Sequence, residues 1–200
     1  MRDLKRADAE LAGWMARVGP CRLELRPPQQ PFAALLRAIV YQQLAGRAAA
    51  AIHARVLALF PPGRQPQARH FLALDEAELR QAGLSRNKQR AIASLAEHVI
   101  DRKIPRRATL ARWSDEEVID CLTQVHGVGR WTAEMLLMFN LGRPDVLPRN
   151  DLGLLNGFER AFGSNSPDEL LARGELWRPW RTIASWYLWR IAELPAAKRN

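Results

Sequence analysis

Several features of this 200-residue sequence could do chemistry. Val125-His126-Gly127-Val128-Gly129 joins two helical segments, and two glycines spaced two apart permit positive φ where the chain reverses. The N–H groups exposed by such a turn, added to the unpaired N–H groups of the helix starting at Arg130, make a concave positive site suited to a phosphate. A plain helical hairpin that binds nothing carries the same glycines. Asp151 stands directly before a segment that reads as a helix from Leu152. There a carboxylate caps N–H groups at the positive end of the helix. Five of the seven tryptophans, Trp131, Trp177, Trp180, Trp186 and Trp189, fall at or after residue 131. Their electron-rich faces can stack on a base or attract a cationic one, although core packing is the ordinary use of any single tryptophan.

Other chemistries are excluded. Cys21 and Cys121 are too few for an iron-sulfur cluster, and His53, His70, His98 and His126 show no metal-ligand spacing. Thirty Lys and Arg against twenty-one Asp and Glu give a net charge of +9, which attracts polyanions and makes nucleic acid the leading partner class. An arginine-rich composition produces the same excess, since Lys5, Lys88, Lys103 and Lys198 are the only lysines.

The elements that must position these groups are helical. Phe32, Leu35, Leu36, Ile39, Val40 and Gln43 fall on one helical face, as do Ile92, Leu95, Ala96, Val99 and Ile100. Ser114 with Glu117, and Ser166 with Glu169 behind Pro167, match capping boxes that start helices at residues 115 and 167. Pro179 is expected to start a helix running to about Glu193. Gly and Pro place breaks at Arg26 to Gln30, Pro61 to Gln67, Arg102 to Thr109 and Gly142 to Asn150. Two-residue alternation is confined to Cys21 to Arg26, too little for a sheet. The fold expected is all-α, about ten helices in two interlocked lobes around a cleft, residues 1–200 forming one domain. No apolar run approaches membrane-spanning length, and the start lacks the apolar region of a signal peptide, so an intracellular, cytoplasmic or nucleoid-associated protein is expected.

Four ordered motifs go further. They are Ile39-Val40-Tyr41-Gln42-Gln43-Leu44-Ala45, then Gly83-Leu84-Ser85-Arg86-Asn87-Lys88, then Gly127-Val128-Gly129-Arg130-Trp131-Thr132-Ala133 continuing through Val146-Leu147-Pro148-Arg149-Asn150-Asp151-Leu152-Gly153, and finally Arg178-Pro179-Trp180-Arg181 with Trp186 to Arg190. Together they resemble the helix-hairpin-helix DNA glycosylases, specifically the alkylation-repair branch of DNA-3-methyladenine glycosylases, over roughly residues 31 to 191. The larger bacterial members carry an N-terminal β-rich domain that this sequence is not expected to have.

The resemblance implies roles. Asp151 is the catalytic carboxylate that faces the sugar cation. Trp131, Trp189, Met135 and Tyr41 form the base pocket, with Met135 standing where some relatives place an aromatic. Gln43, Leu44, Gly127, Val128, Gly129, Arg130 and Thr132 contact DNA, Leu44 as the apolar wedge. The backbone carbonyls of Thr123, Val125 and Val128 match those that hold a structural monovalent cation; no other cofactor is implied. Where the glycosylase/lyases of the family place a nucleophilic lysine, this sequence has Trp131, so a monofunctional enzyme is implied. Double-stranded DNA with alkylated purines is the implied partner, with no membrane and no obligate protein partner. A non-catalytic hairpin module that only binds DNA, and a glycosylase for other damaged or mismatched bases, remain as alternatives.

Overall fold

The computed structural model describes residues 2–25, 27–44 and 46–195. Arg26, which opens the first expected break, and Ala45, at the end of the glutamine-bearing motif, lie outside the described residues. The helices are α1 (Arg2–Ala7), α2 (Ala9–Val18), α3 (Pro31–Tyr41), α4 (Gly46–Ala58), α5 (Ala68–Phe71), α6 (Glu76–Gln81), α7 (Arg86–Ile100), α8 (Arg107–Leu110), α9 (Asp115–Leu122), α10 (Arg130–Leu136), α11 (Leu152–Phe162), α12 (Pro167–Gly174) and α13 (Arg181–Glu193). A π-helical turn, Leu137–Leu141, continues α10. Thirteen α-helices among the described residues thus replace the expected ten. The four-residue α5 and α8 and the six-residue α1 and α6 are too short to show a helical period in sequence. No strand occurs among the described residues; Cys21–Leu25 is irregular. No described helix is long and apolar enough to cross a membrane.

The chain divides into two compact units. The first takes Met1–Leu25 and Gly142–Asn200. Its core gathers Leu11, Met15, Leu154, Phe158, Trp177, Tyr187 and Leu188 from α2, α11, α13 and the segment after α12. Buried Asp8 caps α2 through Leu11 N–H (3.0 Å), takes a bidentate pair from Arg173 (both 2.8 Å), and accepts the Trp177 indole N–H at 2.9 Å. Burial alone raises the pKa of this carboxyl, but the Arg173, Leu11 and Trp177 hydrogen bonds outweigh it and bring it to about 2. Ser166 caps α12 by accepting Glu169 N–H, but the expected box is only half made, because Ser166 N–H goes to Ser164 Oγ at 3.2 Å. Helix α13 begins at Arg181 and not at Pro179, because Trp180 has non-helical ψ (26°) and its N–H is turned back onto Trp177 O at 2.7 Å.

The second unit is Arg26–Leu141. Helix α3 buries Phe32, Leu35, Leu36, Ile39 and Val40 and packs against α4, α7 and α10. Gln43 does not continue this face. The helix ends at Tyr41, Gln42 is extended, and Gln43 adopts φ +56° in the left-handed region, exposed. On α7 the stripe holds through Ala96, while Val99 is half-buried and Ile100 exposed, since the last turn runs out past the core toward its Asp101 cap. The Ser114–Glu117 capping box opens α9 with both reciprocal bonds made.

Candidate active site

In the first unit, the carboxylate and one tryptophan meet. Asp151 N-caps α11, its Oδ1 accepting Leu154 N–H at 2.7 Å, and the same oxygen accepts the indole N–H of Trp189 on α13, also at 2.7 Å. Two glycines make the meeting possible. A Cβ on Gly157 would lie 2.0 Å from the Leu188 carbonyl oxygen, so α11 and α13 touch backbone to backbone one residue before Trp189. A Cβ on Gly153 would stand 3.2 Å from Asp151 Oδ1 and 3.2 Å from the Trp189 ring, inside the small space the pair shares. The outcome is a half-buried carboxylate whose rotamer is held by two donors, at the end of a helix whose dipole favours its negative charge.

In the second unit lies the hairpin between α9 and α10. Only one of its glycines needs positive φ. Gly127 is at φ +78°, and a Cβ there would lie 2.8 Å from the Ala91 Cβ, whereas Gly129 has the extended φ of −92° and nothing within 4 Å of its would-be Cβ. Gly129 N-caps α10 with no side chain over the helix N–H groups. Val128 is buried and Thr132 only 2% exposed, so neither presents its side chain to solvent. Arg130, expected on DNA, is held by carboxylates: its guanidinium makes two bonds to Glu116 (3.0 and 2.5 Å) and one to Glu134 at 3.2 Å. The Glu116 bond raises the Arg130 pKa and lowers that of Glu116. The backbone is therefore the hairpin's main positive element toward an anion. The cation donors expected here, the carbonyls of Thr123, Val125 and Val128, belong to the α9 cap and the turn; Val125 O already takes Val128 N–H at 3.0 Å and keeps its second lone pair. Carbonyl oxygens are the hard donors such an ion takes. Among the described residues, no three His, Cys, Asp or Glu side chains form a metal cage.

The remaining expected residues of this unit are accessible to different degrees. Leu44 is 38% exposed and Trp131 39%, so neither is a core residue, while Met135 and Tyr41 are half-buried. The Arg37 guanidinium lies 4.1 Å over the Tyr41 ring, with His53 edge-on at 6.0 Å. Asp151 and Trp189 thus belong to one unit, and Tyr41, Gln43, Leu44, the hairpin, Trp131 and Met135 to the other.

Four residues carry geometry that sequence reasoning did not assign. Gly153 and Gly157 are one helical turn apart, a spacing that signals close helix approach. Gln42 reaches across to the hairpin, its amide nitrogen donating to Gly127 O and Thr132 Oγ1, both at 3.1 Å. Lys88, one of four lysines among thirty basic residues, donates to Val40 O (2.6 Å) and Gln42 O (3.0 Å).

Known proteins resemble the chain along its whole length. It is 38% identical over 169 residues to DNA-3-methyladenine glycosylase 1 of Schizosaccharomyces pombe, covering 83% of this chain and 74% of that protein. The alkylbase DNA glycosidase-like protein mag2 of the same yeast is 32% identical, covering 96% and 95%. Among solved structures, the S. pombe 3-methyladenine DNA glycosylase Mag1 in complex with abasic DNA superposes with a TM-score of 0.90 at 34% identity, over 98% of both chains. A DNA-3-methyladenine glycosidase from Bacillus halodurans gives 0.83, also at 34%, over 96% of this chain and 88% of that one. With residues 36–182 matching its family model as well, the chain belongs to the HhH-GPD superfamily of base excision DNA repair proteins.

Proposed function

We propose that this chain is a monofunctional DNA glycosylase that hydrolyses the N-glycosidic bond of alkylated purines of the 3-methyladenine and 7-methylguanine type in duplex DNA. The observation that carries the reading is the Asp151 carboxylate fixed through Oδ1 by Leu154 N–H and Trp189 Nε1–H, in a chain whose relatives are named for this activity. Breaking the C1′–N bond leaves positive charge on the sugar, and a carboxylate already oriented toward it lowers the barrier without reorganising. Water adds to C1′, its proton is released, and the electron pair of the broken bond leaves with the base. An alkylated purine is cationic, so its bond is weak before the enzyme acts, and an aromatic face such as that of Trp131 or Trp189 attracts it.

The substrate base is normally stacked, so the nucleotide must be extruded at a cost of a few kcal/mol. Exposed Leu44 and Gln43 are suited to fill the gap, and the hairpin backbone around Gly127 and Gly129 to hold a phosphate. Tyr41 and Met135, half-buried in the second unit, contact the base in this reading. The Thr123, Val125 and Val128 carbonyls would hold a monovalent cation whose charge adds to the phosphate attraction; no other cofactor is needed. Arg130 contributes to DNA binding only by exchanging a carboxylate for a phosphate. Cytoplasmic or nucleoid-associated placement goes with this activity.

Incubation with methylated duplex DNA and mass analysis of the released bases tests the proposal. Free 3-methyladenine or 7-methylguanine, with a strand that breaks only on hot alkali, is the expected result. DNA binding without base release would identify a non-catalytic module, and a borohydride-trapped protein–DNA adduct would overturn the assignment as monofunctional.

A further inference from the structure

We propose that Gln42 and Lys88 are positioning residues that lock the Gln43–Leu44 turn to the hairpin, so that DNA gripped at the hairpin meets the extruding turn already in register. The inference rests on the glycosylase reading and deepens it. The Gln42 amide has two N–H donors, and they go to two sites on the hairpin: the Gly127 carbonyl in its turn and the Thr132 hydroxyl in its second helix. Thr132 is buried, and Gly127 lies against Ala91 where a Cβ would not fit. One side chain therefore ties the end of α3 to the turn and to the second helix of the hairpin, across 85 and 90 residues of sequence.

Lys88 grips the same turn from α7. A helix leaves its last carbonyls without helical partners, and the Lys88 ammonium takes two oxygens there, those of Val40 and Gln42. Helix stability is not the reason for this lysine. It sits in the first turn of α7, where a cation opposes the helix dipole, and burial further lowers its pKa. What the position gains is the turn.

Gln43 explains why two clamps are needed. Its φ of +56° is a conformation that side-chain-bearing residues rarely hold, and it persists only where the surroundings over-determine it. The residue before it is fixed at both its amide side chain and its carbonyl oxygen. Released from either, the turn can relax to ordinary backbone angles and re-aim Gln43 and Leu44, both of which face solvent.

The test compares wild type with Gln42→Ala, Gln42→Glu and Lys88→Met in single-turnover release of 7-methylguanine. One substrate pairs the lesion with cytosine; the other places it opposite an abasic-site analogue, where part of the extrusion cost is already met. Each variant is expected to lose about tenfold on the paired substrate, the worth of one or two hydrogen bonds, and no more than about threefold on the other. Fluorescence of 2-aminopurine placed as the target base in duplex should rise less on binding each variant than on binding wild type. Equal losses on both substrates in all three variants, or no loss on either, overturn the lock. Gln42→Glu keeps the size of the side chain and removes its donors, so it separates a lost clamp from a lost fold. Failure of the glycosylase reading would show in the wild type, as no release from either duplex; the fluorescence of the variants then decides the lock alone.

Discussion

Asp151→Asn separates charge from shape. The bonds from Leu154 N–H and Trp189 Nε1–H converge on Oδ1, so the amide oxygen of asparagine can accept both in the same geometry. Asparagine also caps helices about as well as aspartate, and weakening two hydrogen bonds from charged to neutral costs about 1 kcal/mol in all. In a chain of this size that lowers the melting temperature by about 2 to 4 °C. The catalytic loss is far larger. A full charge about 4 Å from a sugar cation is worth roughly 4 kcal/mol at an effective dielectric of about 20. Removing it should slow base release by roughly a thousandfold. Single-turnover release of 7-methylguanine gives the rate, and binding to duplex carrying an abasic analogue shows that the site persists. Asp151→Ala is the control: it leaves both donors without this acceptor and should be less stable by about 2 to 4 kcal/mol as well as being inactive. Release by Asp151→Asn within tenfold of wild type would refute the electrostatic argument. An asparagine variant that melts as low as the alanine one would refute the shared-oxygen geometry.

Trp189→Phe keeps an aromatic face but drops the bond to Asp151, so release should slow for all lesions alike; Trp189→Leu should in addition lose preference for cationic over neutral bases, and an unchanged preference would count against recognition by this ring. Gly127→Ala meets both a positive φ and the Ala91 methyl, and should cost about 2 to 4 kcal/mol in thermal unfolding, whereas Gly129→Ala should change stability by less than about 1 kcal/mol while weakening binding to damaged and undamaged duplex together. Asp8 contributes stability that is complete above its ordinary pKa of 3.8 and is lost as pH falls toward about 2, so acid unfolding should show a loss of about 2 kcal/mol across that window that Asp8→Asn abolishes. Replacing potassium by a bulky tetraalkylammonium ion at equal ionic strength should weaken duplex binding if the hairpin carbonyls hold a cation; equal affinity in both would remove that ion from the proposal.

Local rules made part of this molecule readable. The stripe of α3 from Phe32 to Val40, the Ser114 box, the Ser166 cap and the Asp151 cap depend on neighbours within a turn, and each is present. What failed depends on distant partners. Gln43 leaves the α3 face because Gln42 is bonded to a hairpin about ninety residues on, which no period within α3 encodes. The two hairpin glycines look equivalent in sequence, yet only Gly127 takes the positive backbone angle and only it lies against Ala91, a partner some 36 residues back. Arg130 reads as a free cation until α9 brings Glu116 to it. Trp189 could be named from its motif, but its grip on Asp151, 38 residues away, needed the packing of α11 on α13.

That packing has a consequence for how the protein tolerates change. Because α11 meets α13 through the main chain at Gly157, the spacing between their ends is set by peptide atoms, which every sequence shares, and not by the volumes of core side chains. Leu154, Phe158 or Leu188 can therefore drift to other apolar residues, with losses in stability but little movement of Asp151. Position 157 has no such freedom, because a methyl there meets the Leu188 backbone, and a methyl at 153 presses on the carboxylate–indole pair, which must give by a few tenths of an ångström. A library of substitutions across this unit should divide accordingly, into many apolar sites that trade off gradually and one glycine site, 157, where function ends abruptly.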